Sequence, residues 1–198
     1  MLFSAVNPWF AKAIILVGTL AIVIIPASRH PRGGQIKVVK SRKGRMERVL
    51  LTLTALGFFL PLVWVATPVL AFADYPLRLV PFIAGIFCLA LGLWLLYRSH
   101  ADLGTNWSIT LEVREKHQLV TQGIYRHMRH PMYLALLLYS SGQALVLPNW
   151  VAGPSYLVAF AILFALRVGP EERMMVEEFG KDYEAYMGRT KRLVPGVW

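Results

Sequence analysis

The chain is poor in cysteine, in acid and in charge of any kind. A single cysteine, Cys88, among 198 residues excludes an intrachain disulfide and a thiolate metal cluster, and leaves the redox compartment open. Only 16% of residues are charged, against ~25% in an ordinary soluble domain, while 56% are hydrophobic and the mean hydropathy is +0.50. That balance excludes a disordered tail and a coiled coil. It argues against a water-soluble globule too, because a chain of this size has too few core positions for so many apolar side chains. The apolar solvent is lipid. Eleven acidic residues face 21 Lys and Arg, for a net charge of +10. The basic residues cluster between long apolar runs instead of forming a stripe on soluble elements, which excludes a nucleic-acid module and is the pattern of loops facing a cytoplasmic leaflet. The sequence has no internal repeat and no low-complexity segment.

Apolar stretches near ~20 residues, the length of a membrane crossing, run from Pro8 to Ala27, from Val49 to Ala73 and from Leu79 to Tyr97. The first has no basic start or small-residue cleavage site, and its basic flank follows it, so it is expected to be a mature helix and not a signal peptide. The run from Met132 to Arg167 contains Pro148, Asn149 and Gly153-Pro154, which predict a tight helical hairpin of two short arms. Ser140, Ser141, Gly142 and Gln143 in its first arm are expected to face protein, since an unpaired amide in lipid is costly.

The Lys and Arg count orients the chain. Eight lie between Arg29 and Arg48, five between Arg98 and Arg129, and six from Arg167 onward, with Lys12 and Arg78 left for the other side. Five crossings put all three basic regions on one face, expected to be cytoplasmic together with the C-terminus. The expected architecture is therefore an all-α polytopic membrane protein with about five transmembrane helices, the last two a tight hairpin, plus a cytoplasmic C-terminal helix. It forms one membrane domain over 1–198, with three N-terminal helices in 1–97 and the chemistry in 98–198. In the tail, Gly169-Pro170 is expected to interrupt the last apolar helix and start a new segment, in which Met175, Phe179, Tyr183 and Tyr186 recur at helical spacing, a stripe suited to docking on the bundle or, as the alternative, to lying at the membrane interface.

The densest polar cluster runs from His117 to Tyr125 and continues through Arg126, His127, Arg129, His130, Pro131 and Tyr133. Three of five histidines fall in it, but their spacing forms no metal-ligand set and no metal is expected. His130-Pro131 marks where a polar loop becomes a helix, and a helix start beside basic side chains suits an anionic ligand. Gly123 suits an unusual backbone angle, and Tyr125 with Tyr133 suit a flat heterocycle. An ordinary juxtamembrane belt of aromatic and basic residues explains the same pattern equally well. Arg167 and Glu171, four apart, share a face if the helix is continuous. They are either a structural ion pair or, at the membrane boundary, a guanidinium placed to grip a carboxylate.

These blocks are His117-x-Leu119-Val120-x-x-Gly123-x-Tyr125, Arg129-His130-Pro131-x-Tyr133, Arg167-x-x-x-Glu171-Glu172 and Phe179-Gly180-x-x-Tyr183-x-x-Tyr186. In order and spacing they resemble the isoprenylcysteine carboxyl methyltransferase family, within the wider group of membrane methyltransferases that includes phospholipid methyltransferases. The resemblance covers roughly residues 100–195, and the short chain resembles a compact prokaryotic member, which would place it in the cell membrane. It implies S-adenosylmethionine as methyl donor, S-adenosylhomocysteine as product, and a lipophilic acceptor entering from the bilayer. His117, Leu119, Val120, Gly123, Tyr125, His130, Pro131 and Tyr133 are then implied to form the donor site, Glu171 to contact the donor, and Arg167 and Glu171 to be catalytic, with Arg167 facing the acceptor. Residues 110–116 match no part of the pattern.

The chemistry agrees with these residue types. A carboxylate acceptor is already ionised at neutral pH, so its methylation needs placement and exclusion of water but no general base. An amine acceptor has to lose a proton first, and an arginine beside it does not help. The carboxylate of an isoprenylated cysteine or an analogue is the acceptor expected. Amino-lipid N-methylation, NADPH-dependent reduction of sterol type, and a non-enzymatic membrane scaffold or small transporter are the alternatives.

Overall fold

The computed structural model describes residues 6–29, 38–41, 44–104, 112–114 and 119–196. His117 and most of residues 110–116 lie outside them. The helices are α1 (Pro8–Arg29), α2 (Arg45–Ala66), α3 (Leu79–Leu103), α4 (Pro131–Val146), α5 (Ala152–Phe179) and α6 (Lys181–Arg189). Two short strands depart from the all-α expectation: β1 (Val38–Ser41) pairs antiparallel with β2 (Glu112–Arg114). That ribbon ties the loop after α1 to the loop after α3, so two of the three basic segments meet at one end of the bundle.

Helix boundaries follow local chemistry. Asn7 caps α1 by accepting the Trp9 N–H at 3.0 Å, with Pro8 in the first helical position, where its missing N–H costs nothing. α2 ends at Ala66 and not at Ala73, because Pro68 forces the residue before it out of the helical region; Thr67 is extended (φ −139°, ψ 156°). α3 continues six residues past Tyr97 and carries Arg98 and Asp102 out of the apolar zone.

The hairpin expected from Pro148 and Asn149 is present, but only its first arm is short: α4 has 16 residues and α5 has 28. Asn149 is fully buried and its Oδ1 accepts the N–H groups of Val151 (3.0 Å) and Ala152 (2.8 Å), capping α5. Its Nδ2 donates to Leu70 O and Asp74 Oδ1, both at 2.7 Å. Gly153-Pro154 sits inside the first turn of α5, where proline is tolerated. Pro170 does not break the helix either. α5 runs 28 residues through it, and the chain turns instead at Gly180 (φ 52°), leaving Met175 and Phe179 on α5 and Tyr183 and Tyr186 on α6.

α3 and α4 form the tightest contact in the bundle. A Cβ on Gly85 would lie 2.8 Å from Gly142 O, and one on Gly142 would lie 2.6 Å from Gly85 O, so the two backbones touch where any side chain would hold them apart. Of the four residues expected to face protein, Ser140, Gly142 and Gln143 are buried along this seam and Ser141 is half-buried. The outward faces carry exposed Val17, Leu20, Phe59, Ile83, Phe87, Ile162 and Leu166, the surface of helices solvated by lipid. Among the described residues, four helices, Pro8–Ser28, α2, α3 and α5, are long and apolar enough to cross a membrane. α4 has 16 residues, about 24 Å of rise against a hydrocarbon core of about 30 Å.

Asn149→Ala should cost about 2 kcal/mol, because it removes a cap and strands buried partners. Reversible unfolding in mixed micelles will measure it; unchanged stability would show that the cap carries none of the hairpin.

Candidate active site

Six segments converge at the end of the bundle marked by the β ribbon: the start of α2, the end of α3, residues 119–130, the start of α4, the end of α5, and the tail after α6. Asp102, in the last turn of α3, accepts the Ile124 N–H at 2.8 Å and lies 3.6 Å from Arg98. This fixes a 3-10 turn, Gly123–Arg126. Gly123 has φ +59°, and a Cβ there would fall onto the Asp102 carboxylate, so both backbone angle and space demand glycine. The turn directs Tyr125 inward, where it is buried. Its carbonyl accepts the Tyr186 hydroxyl of α6 at 2.5 Å. Burial pushes the Tyr186 hydroxyl up to about 12, so it stays a donor throughout the physiological range.

The tail is stitched to the same loop. Arg129 N–H donates to Lys191 O (2.8 Å) and His130 N–H to Arg192 O (2.9 Å). Beneath them Glu172 gathers three partners: Arg129 (2.7 and 3.0 Å), Arg192 (2.8 and 3.0 Å) and His130 Nε2 (3.2 Å). The hydrogen-bonded Glu172 carboxylate holds the Arg192 guanidinium above its usual range. Arg129 Nη1 also donates to Thr190 O and to Met187 O.

The neighbouring carboxylate belongs to a different group. Glu171 Oε2 accepts the Tyr133 hydroxyl at 2.6 Å and lies 3.7 Å from Arg167 Nε, while its Oε1 is 3.9 Å from His130 Nδ1. Because α5 is continuous, Arg167 and Glu171 do share a face. The Tyr133 ring packs on Phe164 (centroids 5.1 Å) and Phe160 (6.1 Å). Arg167 also lies 3.9 Å from Glu47 of α2. Exposure separates the two glutamates: the Glu171 side chain is 27% accessible and that of Glu172 8%. Glu172 is taken up in holding loop, helix and tail together, whereas Glu171 keeps accessible surface.

The structure thus brings His130, Tyr133, Arg167 and Glu171 of the sequence-derived set into one contacting group. Tyr125, Gly123 and the buried Pro131 lie in or beside the adjoining loop, with Leu119 and Val120 half-buried before it. Sequence reasoning assigned no role to Glu47, Asp102, Arg129, Glu172 or Arg192. Glu172 and Arg129 stand inside the quoted motifs, but nothing in their spacing reveals that 43 residues of chain close between them. Among the described residues no cluster of three or more metal-ligating side chains occurs.

A helical membrane bundle whose polar loop, last long helix and tail close on one charged group is the class of protein that this fold and site define. Residues 80–182 match the family described as "Phospholipid methyltransferase"; that is just over half of the chain, which belongs to this family. Curated relatives include protein-S-isoprenylcysteine O-methyltransferase B of Arabidopsis thaliana, 34% identical over 96 residues (48% of this chain, 49% of that protein). That of Schizosaccharomyces pombe is 30% identical over 129 residues (61% and 55%). The chain spans about half the length of these relatives. A solved structure of the eukaryotic intramembrane Ras methyltransferase ICMT superposes with a TM-score of 0.53 at 22% identity, over 93% of this chain and 63% of that one, and shows the fold. The resemblance to isoprenylcysteine carboxyl methyltransferases seen in the sequence blocks is borne out.

Glu172→Gln keeps the shape but leaves Arg129 and Arg192 uncompensated, and should cost about 3 kcal/mol. Glu171→Gln, at a more accessible group, should cost under about 1 kcal/mol. Unfolding of both variants will show it, and equal losses would refute the division of labour between the two glutamates.

Proposed function

We propose that the chain is an S-adenosylmethionine-dependent methyltransferase acting on a lipophilic acceptor, the carboxylate of an isoprenylated cysteine or an analogue. The observation that carries this reading is the group Tyr133–Glu171–Arg167 at the polar end of a family-matched, lipid-solvated bundle. The donor set fits the cofactor: Glu171 has free carboxylate surface for hydroxyl or ammonium groups, and aromatic and imidazole rings adjoin it. His117, Leu119, Val120, Gly123, Tyr125, His130, Pro131, Tyr133 and Glu171 would hold S-adenosylmethionine, which supplies a methyl group activated on a sulfonium.

The chain's own residues do the rest. Arg167 turns its guanidinium toward the acceptor carboxylate and aligns it by paired hydrogen bonds, while Glu171 and Glu47 hold that guanidinium at a fixed angle. The apolar helices keep water from the reacting oxygen, which strengthens each of these interactions. No residue has to take a proton from an ionised carboxylate. In this reading α4 completes a fifth crossing, and the site, the three basic segments and the C-terminus all face the cytoplasm, consistent with the distribution of Lys and Arg.

Amino-lipid N-methylation is the second reading. It is favoured by one observation, that two carboxylates, Glu47 and Glu171, flank the single Arg167, a balance that tolerates a cationic headgroup better than Arg167 alone would.

Arg167→Ala should abolish turnover with labelled donor while S-adenosylhomocysteine affinity, measured by titration calorimetry, stays within about threefold. Parallel loss of affinity would remove Arg167 from the acceptor side. His130→Ala and Tyr133→Ala should each weaken S-adenosylhomocysteine binding roughly tenfold; full affinity in both would move the donor site elsewhere. A prenylcysteine analogue and phosphatidylethanolamine, offered as competing acceptors, separate the two readings by which one takes up label.

A further inference from the structure

At the end of the bundle away from Glu47, a cleft of about 700 Å³ opens between the start of α1, the end of α2 and the segment after it. Val65 lies 18 residues along α2 from Glu47, about 27 Å by helical rise, so the cleft and the candidate active site are separated by about the thickness of a hydrocarbon core. Lys12 Nζ donates to Val65 O at 3.2 Å and stands over two indoles, 5.2 Å from the Trp9 ring centre and 5.5 Å from that of Trp64. Beside the same indole, Asp74 Oδ1 accepts Trp64 Nε1 and Asn149 Nδ2, both at 2.7 Å. Two neutral donors thus orient a carboxylate without neutralising it.

Lys12 and Asp74 line the same cleft, yet neither forms an ion pair within 4 Å among the described residues. A half-buried ammonium with donors to spare and a solvent-exposed carboxylate beside one cleft at a membrane boundary are matched by a ligand that carries both opposite charges. A purely anionic ligand would satisfy Lys12 and be repelled by Asp74. The lining is largely apolar, with Pro8, Trp9, Trp64, Val65 and Pro68, and Trp9 is 73% exposed, as are Phe10 (60%) and Phe72 (81%), each next in sequence to a lining residue, the composition of an interfacial belt against which glycerol and acyl chains lie. We infer that this cleft binds the zwitterionic headgroup of a phospholipid, its phosphate on Lys12 and its primary amine on Asp74, in the leaflet opposite the candidate methyl-transfer site. The site is distinct from the one proposed for catalysis, and the inference does not depend on the reaction.

Native mass spectrometry of the purified full chain in detergent tests it, with added phosphatidylethanolamine, phosphatidylglycerol or soluble phosphoethanolamine. The wild-type chain should retain one phosphatidylethanolamine in preference to phosphatidylglycerol. Lys12→Ala should lower that retention roughly tenfold, and Asp74→Asn should reverse the preference toward phosphatidylglycerol. Trp9→Ala, at an exposed position, should weaken retention with the unfolding temperature unchanged, which decides the matter if Lys12→Ala folds poorly. Equal retention of the two lipids by the wild type would overturn the inference. So would undiminished phosphatidylethanolamine in Asp74→Asn and Trp9→Ala, and displacement by soluble phosphoethanolamine at equal concentration would replace the lipid with a soluble ligand.

Discussion

A single carboxylate, Glu172, holds two guanidiniums and an imidazole that arrive from two other parts of the chain. Arg129 and His130 come from the loop before α4, and Arg192 comes from the tail. A carboxylate this buried is stable only with its partners in place, and the partners are as costly to strand as the carboxylate itself. The group therefore behaves as a latch. With it closed, the Arg129 and His130 amides reach the carbonyls of Lys191 and Arg192, and Tyr186 reaches the Tyr125 carbonyl.

The accessible part of the candidate site is hung on that latch one residue away. Glu171 precedes Glu172 by a single step along α5, which turns it about 100° around the helix and toward Tyr133 and Arg167. Helix geometry thus converts two adjacent glutamates into one that closes the protein and one that remains accessible. Lipid supplies the complementary constraint. The outward faces of the bundle are apolar, so charged groups are driven to its ends, where opposite charges collect and strengthen one another away from bulk water.

How far the sequence foretold this depends on the range of the interaction. The apolar runs announced α1, α2 and α3, and Pro148 with Asn149 announced the hairpin, because length and breaker residues act locally. Local signals also misled: Ala73 extended α2 past a proline that stops it at Ala66, and Pro170 suggested a break that α5 absorbs at the cost of one backbone hydrogen bond. The candidate site was legible where its residues stand in contiguous blocks, at His130, Tyr133, Arg167 and Glu171, which the structure brings together. Glu47, Asp102 and Arg192 gave no sign, since each reaches its partner through tertiary packing and no periodicity or spacing records that. The β ribbon was hidden for the same reason, its two short strands lying in separate polar loops.

The central claim is that the loop before α4 and the end of α5 form one pocket for a nucleoside-bearing donor. Hydrogen–deuterium exchange of the purified chain, with and without S-adenosylhomocysteine, measures this directly. The account predicts that added ligand slows exchange jointly in residues 119–133 and 165–172. Exchange unchanged in both segments, or slowed only at the opposite end of the bundle, would contradict it.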